Sequence, residues 1–143
     1  MEWVLRPGDL AAVPRLRHRI MRRLGEMAAP DADLDATELV VAELLNNAIA
    51  HTGGPAWISL RWDGAHPLLS VADVGPGFGT AKTGLAGLVD LRRTLTPHLP
   101  SDPMAESGRG LYLVARLALD VAVASRATGG TVVSVTLDLK RAS

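Results

Sequence analysis

The stretch AELLNNAIAHT, Ala42 to Thr52, sets two asparagines in the middle of what otherwise reads as a helix. Asparagine is a mediocre helix former because its amide competes for neighbouring backbone groups, so a pair of them inside a helix needs a reason. Glu43, Asn47 and His51 recur every four positions and lie nearly above one another, while Leu34, Val41, Leu45 and Ala48 face another way. Asn46 falls about 100° from the polar row, given about 3.6 residues per turn. A carboxylate, an amide and an imidazole therefore share one stripe, and only one of the two asparagines belongs to it. An amide oxygen near a carboxylate suits a hard cation such as Mg²⁺, which keeps several waters and takes its other ligands from phosphates. A plain solvated polar row is the other reading of the same residues.

Working outward, this helix starts near Asp33 or Asp35, either of which can cap it, and Gly53-Gly54-Pro55 ends it. Before it, Ala11 to Met27 carries apolar residues at 13, 16, 20, 24 and 27, the spacing of an amphipathic helix. The other face of that helix holds Arg15, Arg17, His18, Arg19, Arg22 and Arg23, a basic stripe that is either solvated or a docking surface for an acidic partner. Glu2 to Leu5 reads as a short edge strand, stopped by Arg6-Pro7-Gly8 and able to add to another sheet. Ala56 to Trp62 and Leu68 to Asp73 form a hairpin around Asp63-Gly64-Ala65-His66-Pro67. Gly75 to Ser107 is irregular apart from a short helix near Leu85 to Leu95, and a helix follows over Leu111 to Leu119. Strands are expected at Val121 to Ser125 and at Thr131 to Leu139, the latter with Thr131, Val133, Val135, Leu137 and Leu139 on one face. Mixed helices and adjacent hairpins indicate an α+β fold, a two-layer sandwich with helices on one face of a mainly antiparallel mixed sheet.

A chain of 143 residues is long enough for one domain with a real core, so residues 1–143 are expected to form a single domain. Fifteen basic and fifteen acidic residues cancel, so no overall field draws the chain to nucleic acid or an acidic membrane. The absence of cysteine rules out disulfides and thiolate metal sites. No signal-like N-terminus and no run near the ~18 apolar residues of a membrane span is present, so the expected location is cytoplasmic.

Two further segments bear on the polar row. VADVGPGFG, Val71 to Gly79, puts Asp73 at the end of an apolar strand and follows it with Gly75, Gly77 and Gly79. Glycine lets a ligand approach the backbone, and a carboxylate can accept a hydrogen bond from an amine such as that of adenine. An ordinary Asp-containing turn is the plainer reading. ESGRGLYLV, Glu106 to Val114, sets Gly108 and Gly110 before an apolar helix, so free amides feed a helix N-terminus, an environment that favours phosphate. It is neither a P-loop nor a complete GxGxxG after a strand.

Together, and in this order, the three segments resemble the GHKL superfamily of ATPases and kinases, which has the histidine-kinase-type ATPase fold. Glu43-x-x-x-Asn47-Ala48-x-x-His51 is similar to its N-box, Asp73-x-Gly75-x-Gly77 to its first glycine box, and Gly108-x-Gly110 to its second. Gly129-Gly130-Thr131 is similar to the last adenine-site element. The resemblance implies that Asn47 ligates Mg²⁺ bridging the phosphates of ATP, and that Asp73 reads the adenine amino group together with Thr131 through water. It implies that Gly75, Gly77, Gly108 and Gly110, with Leu111 in the same box, let backbone approach the nucleotide. Arg109 either pairs with phosphate or is solvated, and Glu43 is implied as general base on an acceptor Ser or Thr hydroxyl. His51 is expected to support the helix end.

Within the superfamily, the 30 residues before the N-box helix offer no room for a dimerising phosphoacceptor hairpin, and SGRGL at the second glycine box is similar to stand-alone anti-sigma-factor serine/threonine kinases. That likeness implies a small antagonist protein as phosphoacceptor, a sigma factor as second partner and possible homodimerisation, with no direct nucleic-acid or membrane contact. An ATP lid is expected at about 76–107, longer and more apolar than the minimal anti-sigma type. The alternative is an ATP-gated protein-binding module without phosphoryl transfer, which has no need of a base at Glu43.

Overall fold

The computed structural model describes residues 1–51, 54–73, 113–125 and 131–143, with Ala50, His51, Ser125 and Thr131 described by backbone alone. Strand β1 (Glu2–Leu5) is followed by helices α1 (Ala12–Met27) and α2 (Leu34–His51), the hairpin β2 (Ala56–Arg61) and β3 (Leu68–Asp73), then β4 (Asp120–Ser125) and β5 (Thr131–Thr136). The expected short helix at Leu85 to Leu95 lies outside the described residues. Of the helix expected over Leu111 to Leu119, residues 113–117 are helical.

The five strands form one sheet in the order β1-β2-β3-β5-β4, and every neighbouring pair is antiparallel. The register pairs Leu5 with Ala56, Ala56 with Asp73, and Ser125 with Thr131, so these residues mark one end of the sheet. Arg61 with Leu68, Leu68 with Thr136, and Thr136 with Asp120 mark the other. Ala56, Ile58 and Leu60 are buried while Trp57 and Arg61 are exposed, the period-two pattern of a sheet covered on one face. Leu69 and Val71 of β3 and Val133 and Val135 of β5 continue that buried face.

β1 stops where Gly8 turns the chain at φ 78°, a conformation that favours glycine, with Asp9 N–H donating to the Arg6 carbonyl at 3.2 Å. α1 buries Val13, Leu16, Ile20 and Leu24, the three-and-four spacing read in the sequence, and leaves Arg15, His18, Arg19, Arg22 and Arg23 exposed. Asp33, not Asp35, caps α2: its Oδ1 accepts the Ala36 N–H at 3.0 Å, and its carbonyl accepts the Thr37 hydroxyl at 3.2 Å. Val40, Val41, Leu44, Leu45 and Ala48 are all fully buried, a broad apolar face that α2 turns into the core.

β5 is shorter than the expected Thr131 to Leu139. Its partner β3 begins at Leu68 after Pro67, which has no N–H to extend the ladder, and the Leu137 N–H donates instead to the Pro67 carbonyl at 2.9 Å. Leu137 and Leu139 are nonetheless buried, so the burial alternation outlasts the hydrogen-bonded strand. Among the described residues no helix is long and apolar enough to cross a membrane.

Candidate functional site

Asp73 marks the Ala56–Asp73 end of the sheet, and Asn47 lies in the second half of α2, the helix that packs on β3. β3 brings Leu69, Val71 and Asp73 onto the core face, and Asp73, its last residue, is 1% exposed. A carboxylate in that position is unusual, because burying an ionised group is expensive unless polar partners meet it. On one side its register partner is Ala56, which contributes a single methyl. On the other, the register that pairs Ala72 with Val132 falls at its next step on Asp73 and Thr131.

α2 packs on β3 and carries Asn47 in its second half, 4% exposed. Its Nδ2 donates to the Glu43 carbonyl at 2.8 Å. A carbonyl can only accept, so the amide is held with its NH₂ end on the helix and Oδ1 turned away from that bond. Oδ1 makes no hydrogen bond among the described residues. Glu43 is half-buried one turn earlier, whereas Asn46 is exposed. The two asparagines are thus separated as the helical period requires: one is an oriented acceptor inside the fold and the other is surface.

This chemistry fits a nucleotide and its cation. An oriented amide oxygen is a proper ligand for Mg²⁺, which draws its remaining ligands from waters and phosphates and needs no cage of protein carboxylates. No group of three or more His, Cys, Asp or Glu that could hold a metal occurs among the described residues. A buried carboxylate beside a methyl is an acceptor for an exocyclic amine that arrives edge-on.

Of the residues singled out in the sequence, Glu43 and Asn47 lie one turn apart on α2, Asp73 ends β3, and the backbone of Thr131 begins β5. Gly75, Gly77, Gly108, Arg109, Gly110 and Leu111, and the lid at about 76–107, lie outside the described residues. The place of Ala56 was not legible in the sequence, because only the strand register sets it beside Asp73.

Residues 7–137 match a family model described as a histidine kinase-like ATPase domain. No curated protein matches the chain.

Proposed function

The chain belongs to the histidine kinase-like ATPase domain family, whose members use ATP, and from that premise we propose that it is a Mg²⁺-dependent serine/threonine protein kinase of the anti-sigma-factor type. Its acceptor would be a small antagonist protein and its second partner a sigma factor. The observation that carries the reading is Asn47: its amide is tied to the Glu43 carbonyl, which presents Oδ1 as a metal ligand and sets that ligand one helical turn from a carboxylate.

In this reading Asp73 accepts a hydrogen bond from the adenine amino group and fixes the base. Asn47 would hold the metal, and Mg²⁺ when bound would neutralise charge on the phosphate oxygens. Glu43 accepts the proton of the acceptor hydroxyl as its oxygen bonds to the γ-phosphorus. The bond from the γ-phosphorus to the bridging oxygen breaks, and ADP leaves with the electron pair. Gly75, Gly77, Gly108 and Gly110 would line the nucleotide with backbone, with Arg109 and Leu111 in the second glycine box and Thr131 beside Asp73.

The test is transfer of label from γ-labelled ATP to a candidate antagonist protein, with nucleotide binding measured in parallel. Transfer that needs Mg²⁺ and is lost in Glu43→Ala supports the kinase. Tight Mg²⁺-dependent binding without transfer to any serine or threonine would establish the ATP-gated binding module instead.

A further inference from the structure

We propose that the free edge of β1 and the basic face of α1 form a docking groove for an extended, acidic segment of a partner protein. The inference is independent of the nucleotide reading. Among the described residues β1 is terminal in the sheet and bonded to β2 alone. Backbone groups of an antiparallel strand point alternately toward its partner and away from it. The Leu60 N–H donates to the Met1 carbonyl at 2.9 Å, which sets the phase. Met1, Trp3 and Leu5 therefore direct their carbonyls and amides at β2, while Glu2 and Val4 direct theirs outward. Val4, 51% exposed, lies on this open edge.

Beside the edge, a groove of about 260 Å³ runs between β1 and α1. Trp3, Ala12 and Leu16 give it an apolar floor, and the exposed Arg15 and Arg19 line it from the helix. Four residues apart, these two arginines are neighbours on one helix face, with Cβ atoms about 5–6 Å from each other. Among the described residues Arg23 is paired with Glu26 and Arg61 with Asp63, but Arg15 and Arg19 have no ion pair or hydrogen bond. The groove thus offers backbone donors and acceptors for an added strand, apolar contact for every second side chain, and two unneutralised guanidinium groups at its helical wall.

Charge selects the occupant. A second copy adding its own β1 about a two-fold axis would extend the sheet and bring two α1 helices together on one face, opposing Arg15 and Arg19 to their like-charged counterparts. The residues such a strand would turn into the groove, Trp3 and Leu5, include no carboxylate. A nucleic-acid backbone would match the arginines and leave the strand edge and apolar floor unused. An extended peptide alternating acidic and apolar side chains matches all three features.

The probe is a short capped peptide alternating glutamate and valine, labelled with a fluorophore, against the full chain without nucleotide; its control replaces glutamate with lysine. The glutamate peptide should bind at least about tenfold more tightly, and the double variant Arg15→Glu with Arg19→Glu should reverse the preference. Val4→Pro deletes an outward N–H and leaves the β1–β2 ladder its own donors, so it should weaken the glutamate peptide about fivefold or more with little change in Tm. If Val4→Pro unfolds the chain, the same peptide N-methylated at alternate residues replaces it and should lose affinity likewise. Equal affinity for both peptides, indifference to N-methylation, or a dimer in sedimentation that Val4→Pro dissociates would overturn the proposal.

Discussion

The two ends of the sheet are built from the same strands and bury opposite kinds of chemistry. At the Arg61–Leu68 end the chain closes on itself. Leu137 and Leu139 are each 1% exposed, His66 Nδ1 donates to the Leu139 carbonyl at 2.8 Å, and Arg141 lies over the Trp62 ring at 6.0 Å. Ala29 N–H donates to the Lys140 carbonyl, tying the end of α1 to the last residues. At the Ala56–Asp73 end, α2 and β3 bury an amide and a carboxylate that an apolar core has no use for. The contrast sets an apolar, self-closing end against one that buries polar groups, and under the proposed function the second is the end that meets the nucleotide.

The widest gap between the ends should appear in catalysis. Glu43→Ala is expected to lower phosphoryl transfer by about 10²–10⁴-fold, the usual contribution of a positioned general base. Nucleotide affinity and Tm should stay close to the parent's, because the side chain is half-buried and the backbone carbonyl that holds Asn47 survives the substitution. Single-turnover transfer and nucleotide titration measured on the same preparation check this. If affinity and transfer fall together, Glu43 supports the site instead of acting in it.

The mirror test sits at the closed end. Leu137→Ala removes a fully buried side chain and should cost about 2–5 kcal/mol. Thermal unfolding should register a Tm lowered by roughly 3–4 °C for each kcal/mol. Nucleotide affinity of the folded protein should be unchanged, and a parallel loss would show that the ends are coupled through the sheet.

How far this division is legible in the sequence depends on what each feature needs. β3 is read to its ends because Pro67 bars its start and Asp73 breaks the apolar run. Helical periodicity separates Asn47 from Asn46, and burial bears that out. The end of β5 is misjudged because alternation reports burial, not hydrogen bonding, and Leu137 and Leu139 stay buried after the ladder stops. The choice between Asp33 and Asp35 turns on one side-chain bond that both residues could have made. Ala56 beside Asp73, and the groove between β1 and α1, are invisible to any local pattern because they arise from strand order and register. The two glycine boxes are the strongest sequence signal for a nucleotide, yet their glycines lie outside the described residues, so what the structure shows of the site rests on α2 and β3.

A smaller effect should come from Asp73→Asn. An amide can present a donor where the adenine amine needs an acceptor, and a hydrogen bond to a charged group contributes about 1.5–3 kcal/mol, so affinity should fall by roughly 10–150-fold. The amide keeps the shape of the buried side chain and can still hydrogen-bond, so stability should change less than affinity does. Calorimetric titration with nucleotide and a thermal melt without it read the two effects separately. Unchanged affinity would remove Asp73 from the adenine site.

The smallest effect tests whether α2 carries information between the ends. Asp33 caps the helix at the closed end through its bond to the Ala36 N–H, and Asn47 lies fourteen positions on, about 21 Å at 1.5 Å per residue. Asp33→Ala should cost about 1 kcal/mol, with Asp35→Ala costing less because Asp35 lends only a favourable charge to the first turn. A cap frays its own end of a helix, and the fully buried Val40, Val41, Leu44 and Leu45 lie between the cap and Asn47. Nucleotide affinity should therefore be the same in both variants as in the parent. A fall in affinity that tracks the lost cap would mean the amide of Asn47 is oriented by the integrity of the whole helix, not by its bond to Glu43 alone.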